Sequence, residues 1–179
     1  DKNFCRNLTL LTDFYEITMG NGYFKCGYQD RITYFDLFFR QVPDGGGFAI
    51  AAGLEQVVEY ITNLHFSEED IAFLRSRNIF CEEFLQYLRD FRFTGDIWAV
   101  PEGTPVFPRE PLVRVQGSMA ACQLIETALL NLVNFQTLVA TKTARVVQAA
   151  EGHAVSDFGL RRAQGPDGGL AVARASFVG

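Results

Sequence analysis

Arg161 and Arg162 stand side by side near the C-terminal end of the chain. They lie within Asp157-Phe158-Gly159-Leu160-Arg161-Arg162-Ala163-Gln164-Gly165-Pro166-Asp167-Gly168-Gly169. The chemistry this pair offers is anion recognition. A guanidinium is permanently charged, and its planar fork matches the oxygens of carboxylates and phosphates. The neighbouring glycines let backbone N–H groups come close to such a ligand. The apolar pair Ala154-Val155 predicts a strand that delivers Phe158 and the arginines to its carboxyl end, where ligands of α/β folds gather. Adjacent strand residues face opposite sides, so Arg161 is the arginine expected to reach a ligand directly. Paired arginines also form ordinary surface ion pairs, and local grounds leave the two readings level.

Five further residues invite a chemical reading. Phe158 could stack on a planar ring, since aromatic faces bind aromatic ligands in offset stacks. Tyr15, in Leu10-Leu11-Thr12-Asp13-Phe14-Tyr15, could offer a second platform. For both, a place in the core is the stronger local reading. Arg40 ends the Phe-rich run Phe35-Asp36-Leu37-Phe38-Phe39-Arg40, and either meets phosphate or marks the strand's exit into water. His65 and His153 have no metal-ligand or triad partner at suggestive spacing, so they read as structural or surface residues. The glycine clusters at 45–47 and 165–169 match neither the dinucleotide fingerprint nor the P-loop. No catalytic carboxylate pair stands out.

These residues need elements to position them. Thr12 is a candidate cap for a helix to about Phe24, with Asp13 favouring its first turn. Ile32 to Arg40 predicts a strand, apolar on both faces and therefore covered on both. Pro43 to Gly47 is a turn. Phe48-Ala49-Ile50-Ala51-Ala52 is short and apolar, and Gly53 opens a helix to about Asn63. Ser67 and Asp70 form a capping box for a short helix, and a further amphipathic helix covers Cys81 to Asp90. Four of the six prolines fall in the stretch just after Gly95. Ile97–Val100, Pro105–Phe107 and Leu112–Val115 predict short strands of a small β unit ending at Gly117. Ser118 then caps a long helix to about Ala150, with Gly152 at its stop. The expected class is α/β: an N-terminal α/β domain at 1–117 with a small β unit from about 95, then a linking helix and the first elements of a barrel at 118–179.

Composition narrows the classes. The chain has 179 residues, 48 % of them hydrophobic and 21 % charged, which is ordinary for a globular domain. Sixteen basic residues against 21 acidic ones give a net charge of −5 with no like-charged block, which disfavours nucleic-acid and anionic-membrane binding. Cys5, Cys26, Cys81 and Cys122 are scattered, without zinc spacing. With no signal peptide or membrane span read from the sequence, a reduced cytosolic protein is the expectation. Asn7-Leu8-Thr9 is then a chance sequon. The chain begins at Asp1 without methionine and ends at Ser176-Phe177-Val178-Gly179, which reads as the start of an element. The sequence therefore reads as a fragment.

Taken in order, the motifs resemble those of the nicotinate phosphoribosyltransferase family. The segments are Leu10-Leu11-Thr12-Asp13-Phe14-Tyr15-Glu16-Ile17-Thr18-Met19, Phe35-Asp36-Leu37-Phe38-Phe39-Arg40, Phe48-Ala49-Ile50-Ala51-Ala52-Gly53-Leu54, Pro101-Glu102-Gly103-Thr104-Pro105, Gln123-Leu124-Ile125-Glu126-Thr127, Leu138-Val139-Ala140-Thr141 and Leu160 to Gly169. The resemblance implies transfer of the phosphoribosyl group of 5-phosphoribosyl-1-diphosphate to nicotinate, giving nicotinate mononucleotide and diphosphate, the first step of NAD salvage. It implies ATP hydrolysis through a phosphohistidine, Mg²⁺ as activator, no tightly bound organic cofactor, and a cytosolic homodimer with shared active sites. The fold implied is an irregular α/β barrel beside an α/β domain.

By the same resemblance, Tyr15 and Phe158 sandwich the pyridine, Tyr15 being offered across the dimer interface. Arg161 and Arg162 hold phosphate or diphosphate, and Arg40 is a weaker diphosphate candidate. The phosphohistidine and the arginine that reads the nicotinate carboxylate are expected downstream of Gly179. Neither His65 nor His153 matches the histidine's motif, so this chain alone is expected to be inactive. Two alternatives stay open: a nicotinamide or quinolinate phosphoribosyltransferase, and a truncated product that only dimerises or binds a partner.

Overall fold

The computed structural model describes residues 7–179; Cys5 lies outside them. The elements in order are α1 (Phe14–Lys25), β1 (Ile32–Leu37), β2 (Ala49–Ile50), α2 (Leu54–Asn63), α3 (Glu68–Ser76), α4 (Glu82–Asp90), β3 (Asp96–Ala99), β4 (Pro105–Val106), β5 (Val113–Ser118), α5 (Met119–Ala149) and α6 (Gly165–Val178). The class is mixed α/β, and no closed barrel is present among the described residues. The chain forms two compact units. The first comprises the N-terminal stretch through Phe35, Gln56–Trp98 and Arg114–Leu129; the second comprises Asp36–Glu55, Ala99–Val113 and Leu130–Gly179.

The first unit is built on aromatic packing. Phe84, Leu85 and Leu88, one face of α4, are fully buried with Ile71 and Leu74 of α3. Rings link in a chain: Phe14 to Phe80, Phe80 to Phe84, Phe24 to Phe84 and Tyr87, and Phe91 to Tyr87 and Phe66, with centroids 5.7–6.2 Å apart. Such spacing suits edge-to-face and tilted pairs, which add about 0.5–1.5 kcal/mol each beyond burial. Gly20 brings α1 close, since a Cβ there would lie 3.2 Å from Phe84. The capping box is formed as expected: Asp70 N–H donates to Ser67 Oγ, and Ser67 N–H to Asp70 Oδ2.

The second unit relies on small side chains and close backbone approach. Ile50, Ala52 and Ala140 are buried together, with Ala144 and Val178 against them. The hydroxyls of Thr141 and Thr137 accept the Ile50 and Ala52 N–H groups at 2.9 and 3.1 Å. Gly53 is required where it stands: its φ is +102°, and a Cβ would fall 2.7 Å from the Leu132 carbonyl oxygen.

Helix α5 begins after Ser118, whose Oγ accepts the Ala121 N–H, and stops before Glu151 and Gly152, both at positive φ. By length and composition it is the one helix among the described residues that could cross a membrane, which the sequence reading did not anticipate. Half of its most apolar window is buried within the protein, as a core helix requires.

Several expectations change. Thr12 does not cap α1; Asp13 holds the N-cap position, without a side-chain bond, and the buried Thr12 hydroxyl has no partner among the described residues. Strand β1 ends at Leu37 and is not covered on both faces: Ile32 is 64 % and Tyr34 62 % exposed. The β unit is not self-contained. Strands β3 and β5 join β1 in a sheet of order β1-β5-β3, whereas β4 pairs antiparallel with β2, Ala49 opposite Val106. Residues 153–159 form no strand. A strand needs a neighbour for its N–H and C=O groups, and among the described residues this stretch pairs with no strand. The glycines at 165–169 are not a loop: Pro166 sits in the first turn of α6, where its missing N–H costs nothing. The last residues accordingly end a helix rather than start an element.

Candidate functional site

Tyr15 lies in the first turn of α1, half exposed. What fixes it is the next residue. Glu16 is fully buried, and its carboxylate accepts from Gln123 Nε2 and, at 3.3 Å, from Thr127 Oγ1 of α5. Gln123 also donates to Glu126 at 3.2 Å and accepts from the Tyr23 hydroxyl at 3.1 Å. The Asp13 N–H donates to Thr127 Oγ1 at 3.2 Å. Three acids therefore gather under Tyr15 with no described lysine or arginine in an ion pair with them. The Glu16 carboxylate beside the Tyr15 hydroxyl pushes the phenol up to about 12, so it stays protonated and neutral. Burial and then the Glu16 charge raise the Glu126 carboxyl. The ring of Tyr15 is left as an open, neutral aromatic face.

Phe158, Arg161 and Arg162 lie on the segment between α5 and α6. Phe158 is 79 % exposed, so the core position favoured on local grounds is excluded. Leu160–Arg162 forms a 3₁₀ turn. Adjacent side chains there do not alternate as in a strand, so the parity argument that singled out Arg161 lapses. Both arginines are exposed, and neither forms an ion pair with a described carboxylate. Arg161 makes one long contact, Nη1 to the Phe158 carbonyl at 3.4 Å. An aromatic ring and two guanidiniums thus sit within five residues, all facing solvent.

Arg40 is exposed in a bend beyond β1. His153 is exposed, and His65 holds the Asn63 carbonyl through Nδ1 at 2.6 Å. No cluster of three or more His, Cys, Asp or Glu among the described residues is placed to hold a metal ion. Tyr15 belongs to the first unit, and Arg40 and the 158–162 group to the second.

The second unit also holds an ion network that single-residue reasoning missed. Arg174 of α6 is bonded to Glu102, Glu55 and Gln136. Glu102 caps α2 by accepting the Gly53 and Leu54 N–H groups at 2.6 and 3.0 Å. Burial pushes the Glu102 carboxyl up, but Arg174 and the Gly53 N–H outweigh it and hold the carboxyl below its ordinary range. The signal in the sequence was Glu102 inside Pro101-Glu102-Gly103-Thr104-Pro105. Likewise Gln123 and Glu126 belong to the motif Gln123-Leu124-Ile125-Glu126-Thr127.

Comparison with known proteins agrees with these motifs. Residues 10–134 match the family model of the nicotinate phosphoribosyltransferase (NAPRTase) N-terminal domain. A nicotinate phosphoribosyltransferase of Mycobacterium tuberculosis is 45 % identical over 169 residues, covering 94 % of this chain and 36 % of the relative. One from Dictyostelium discoideum is 46 % identical over 173 residues, covering 95 % and 29 %. The crystal structure of human nicotinic acid phosphoribosyltransferase superposes with a TM-score of 0.86 at 40 % identity, over 93 % of this chain and 34 % of that one. A nicotinate-nucleotide pyrophosphorylase from Pyrococcus furiosus, 20 % identical with a TM-score of 0.73 over 99 % of this chain and 39 % of that one, shares the fold. The chain spans about a third of the length of the curated relatives it matches. It belongs to the nicotinate phosphoribosyltransferase N-terminal domain family.

Proposed function

We propose that this chain is the N-terminal part of an enzyme that joins nicotinate to 5-phosphoribosyl-1-diphosphate, forming nicotinate mononucleotide and diphosphate in NAD salvage. The observation that carries the reading is the segment Phe158–Arg162, which exposes a ring and two guanidiniums that no described carboxylate neutralises. A flat, electron-poor pyridine calls for an aromatic face, and the donor's phosphates call for arginine forks.

In this reading Phe158 stacks on one face of the pyridine, and Tyr15, supplied by a second copy in a homodimer, on the other. The Tyr15 phenol is neutral at physiological pH, as an ordinary phenol is, and offers its ring as a flat face. Arg161 and Arg162 hold the phosphates, with Arg40 as a further diphosphate contact. Guanidiniums fixed in place stabilise the charge that develops as diphosphate leaves an oxocarbenium-like ribosyl group. Mg²⁺ would arrive with the diphosphate; the described residues supply arginines for that ligand and no acidic cage for the ion. ATP would be hydrolysed through a histidine other than His65 and His153, making the enzyme an ATP-coupled ligase and a phosphoprotein. A cytosolic location accords with the scattered cysteines.

The test uses the full-length gene product with nicotinate, donor, ATP and Mg²⁺. Formation of nicotinate mononucleotide is expected, and its absence beside a competent control enzyme rejects the reading. Competition with nicotinamide and quinolinate checks the base. Tyr15→Ala should raise the KM for nicotinate, and light scattering should report a dimer.

A further inference from the structure

We infer that Arg174 is a positioning residue that fixes the Phe158–Arg162 segment by locking α6 in place; this rests on the reading of that segment as the donor-phosphate and pyridine site. The segment has no anchor of its own. Its hydrogen bonds among the described residues are local: His153 N–H to the Ala150 carbonyl, Gly159 N–H to Asp157 Oδ1, Arg162 N–H to the Gly159 carbonyl, Ala163 N–H to the Leu160 carbonyl. It leans on α6 instead. A Cβ on Gly169 would fall 2.6 Å from Leu160 and 3.7 Å from Ala163, so this glycine in α6 receives the segment's C-terminal end. Where α6 sits therefore decides where Phe158 and the arginines sit.

What holds α6 is Arg174. Its Nε–H donates to Glu55 Oε2 at 3.0 Å, and Nη2 donates to Glu55 Oε2 and to Glu102 Oε2, each at 2.6 Å. Nη1 donates to Glu102 Oε1 and to Gln136 Oε1, each at 3.0 Å. A guanidinium has five N–H donors, and all five are used. The acceptors come from α2, the 101–104 turn and α5. Glu102 in turn holds the first N–H groups of α2. One side chain, three-quarters buried, thus ties α6 to three other pieces of the second unit. Other contacts of α6 are softer: Val178 packs against the Ile50, Ala52 and Ala140 cluster, and Ser176 Oγ meets Thr143 Oγ1 at 3.3 Å. The planar fork of Arg174 adds what these lack, since it sets both distance and rotation.

The test is made in the full-length enzyme with Arg174→Met, Arg174→Lys and the neutral pair Glu102→Gln/Arg174→Met, in which the glutamine still caps α2. Arg174→Met should raise the donor KM on the order of tenfold with kcat changed far less, since small misplacement of binding groups is costly. It should also speed hydrogen exchange across 157–164. Lysine should restore part of the KM, and the neutral pair should recover stability but not KM. Loss of stability or kcat with unchanged donor KM in all three variants would reduce Arg174 to a structural role and overturn the inference. Unchanged exchange across 157–164 overturns it whatever the kinetics. If exchange speeds up while even Arg161→Ala leaves the donor KM unchanged, the latch stands and the assignment of the site falls.

Discussion

Two carboxylate clusters, one in each compact unit, are built on opposite electrostatics. Beneath Tyr15, Glu16 and Glu126 are satisfied by an amide and a hydroxyl, with no described cation in an ion pair. In the second unit, Glu102 and Glu55 share the guanidinium of Arg174. The first arrangement sits on a packed aromatic core that holds α1 whatever the charges do. The second replaces such a core with directional charge-assisted bonds. The placement of α1 should therefore fail with its apolar core, and that of α6 with its ion network.

The largest effect is expected where the core is deepest. Phe84→Ala removes a fully buried ring that touches Phe24, Phe80 and Tyr87. A loss of about 3–5 kcal/mol is expected, measured by urea unfolding of the full-length protein. A loss under about 1 kcal/mol would show that the ring cluster is not what carries α1.

Glu102→Gln comes next, at about 1–2 kcal/mol at neutral pH, because a charge-assisted bond to a partly exposed arginine is weakened, not removed. Its pH dependence has a definite sign. The folded carboxyl titrates below its ordinary range, so its stabilisation is present above the unfolded pKa and is lost as pH falls through the folded one. The wild type and Glu102→Gln should thus converge in acid. A constant difference from pH 7 down to pH 3 would mean that the glutamine acts through shape and not charge.

Glu126→Gln should do the reverse. Burial and Glu16 raise its folded pKa. Its ionised form therefore costs stability above the folded pKa, and the cost disappears as pH falls toward the unfolded value. The variant should gain about 0.5–1 kcal/mol at pH 7 and lose that advantage in mild acid. Destabilisation at pH 7 would reveal a cation near Glu126 and would abolish the contrast between the clusters.

How far the sequence reveals these regions follows the same division. The Ser67–Asp70 box, the 82–90 face and the start of the long helix at Ser118 depend on residues a few positions apart, so they were readable. Pairing was not. Whether 154–158 becomes a strand depends on a neighbour that the segment itself cannot encode. Both faces of β1 are apolar in sequence, yet Ile32 and Tyr34 stay open. The run 165–169 looked like a loop because glycine is a poor helix former, but Pro166 can start a helix and Gly169 must be small to admit Leu160. Tyr15, Phe158, Arg161 and Arg162 were nameable from type and order. The roles of Glu16, Glu102 and Arg174 were not, even though Glu102 sits in a motif, because their partners lie 38 to 119 residues away in sequence.

The smallest effect on folding is expected at the residue with the most direct proposed contact. Phe158 is 79 % exposed, so Phe158→Ala removes almost no burial. Stability should stay within about 0.5 kcal/mol of wild type. On the proposed reading, this ring three residues before Arg161 is there to be covered by the pyridine. The same variant should therefore raise the KM for nicotinate while the unfolding midpoint stays put, and Phe158→Tyr, which keeps the flat face, should restore it. Tyr15→Ala makes the paired comparison: Tyr15 is half exposed over the Glu16 cluster, so it should show the same kinetic defect with a small loss of stability added. If Phe158→Ala lowers stability by more than about 1 kcal/mol, the ring is covered by protein in the full-length enzyme. The segment would then be a packing element and not half of a pyridine sandwich.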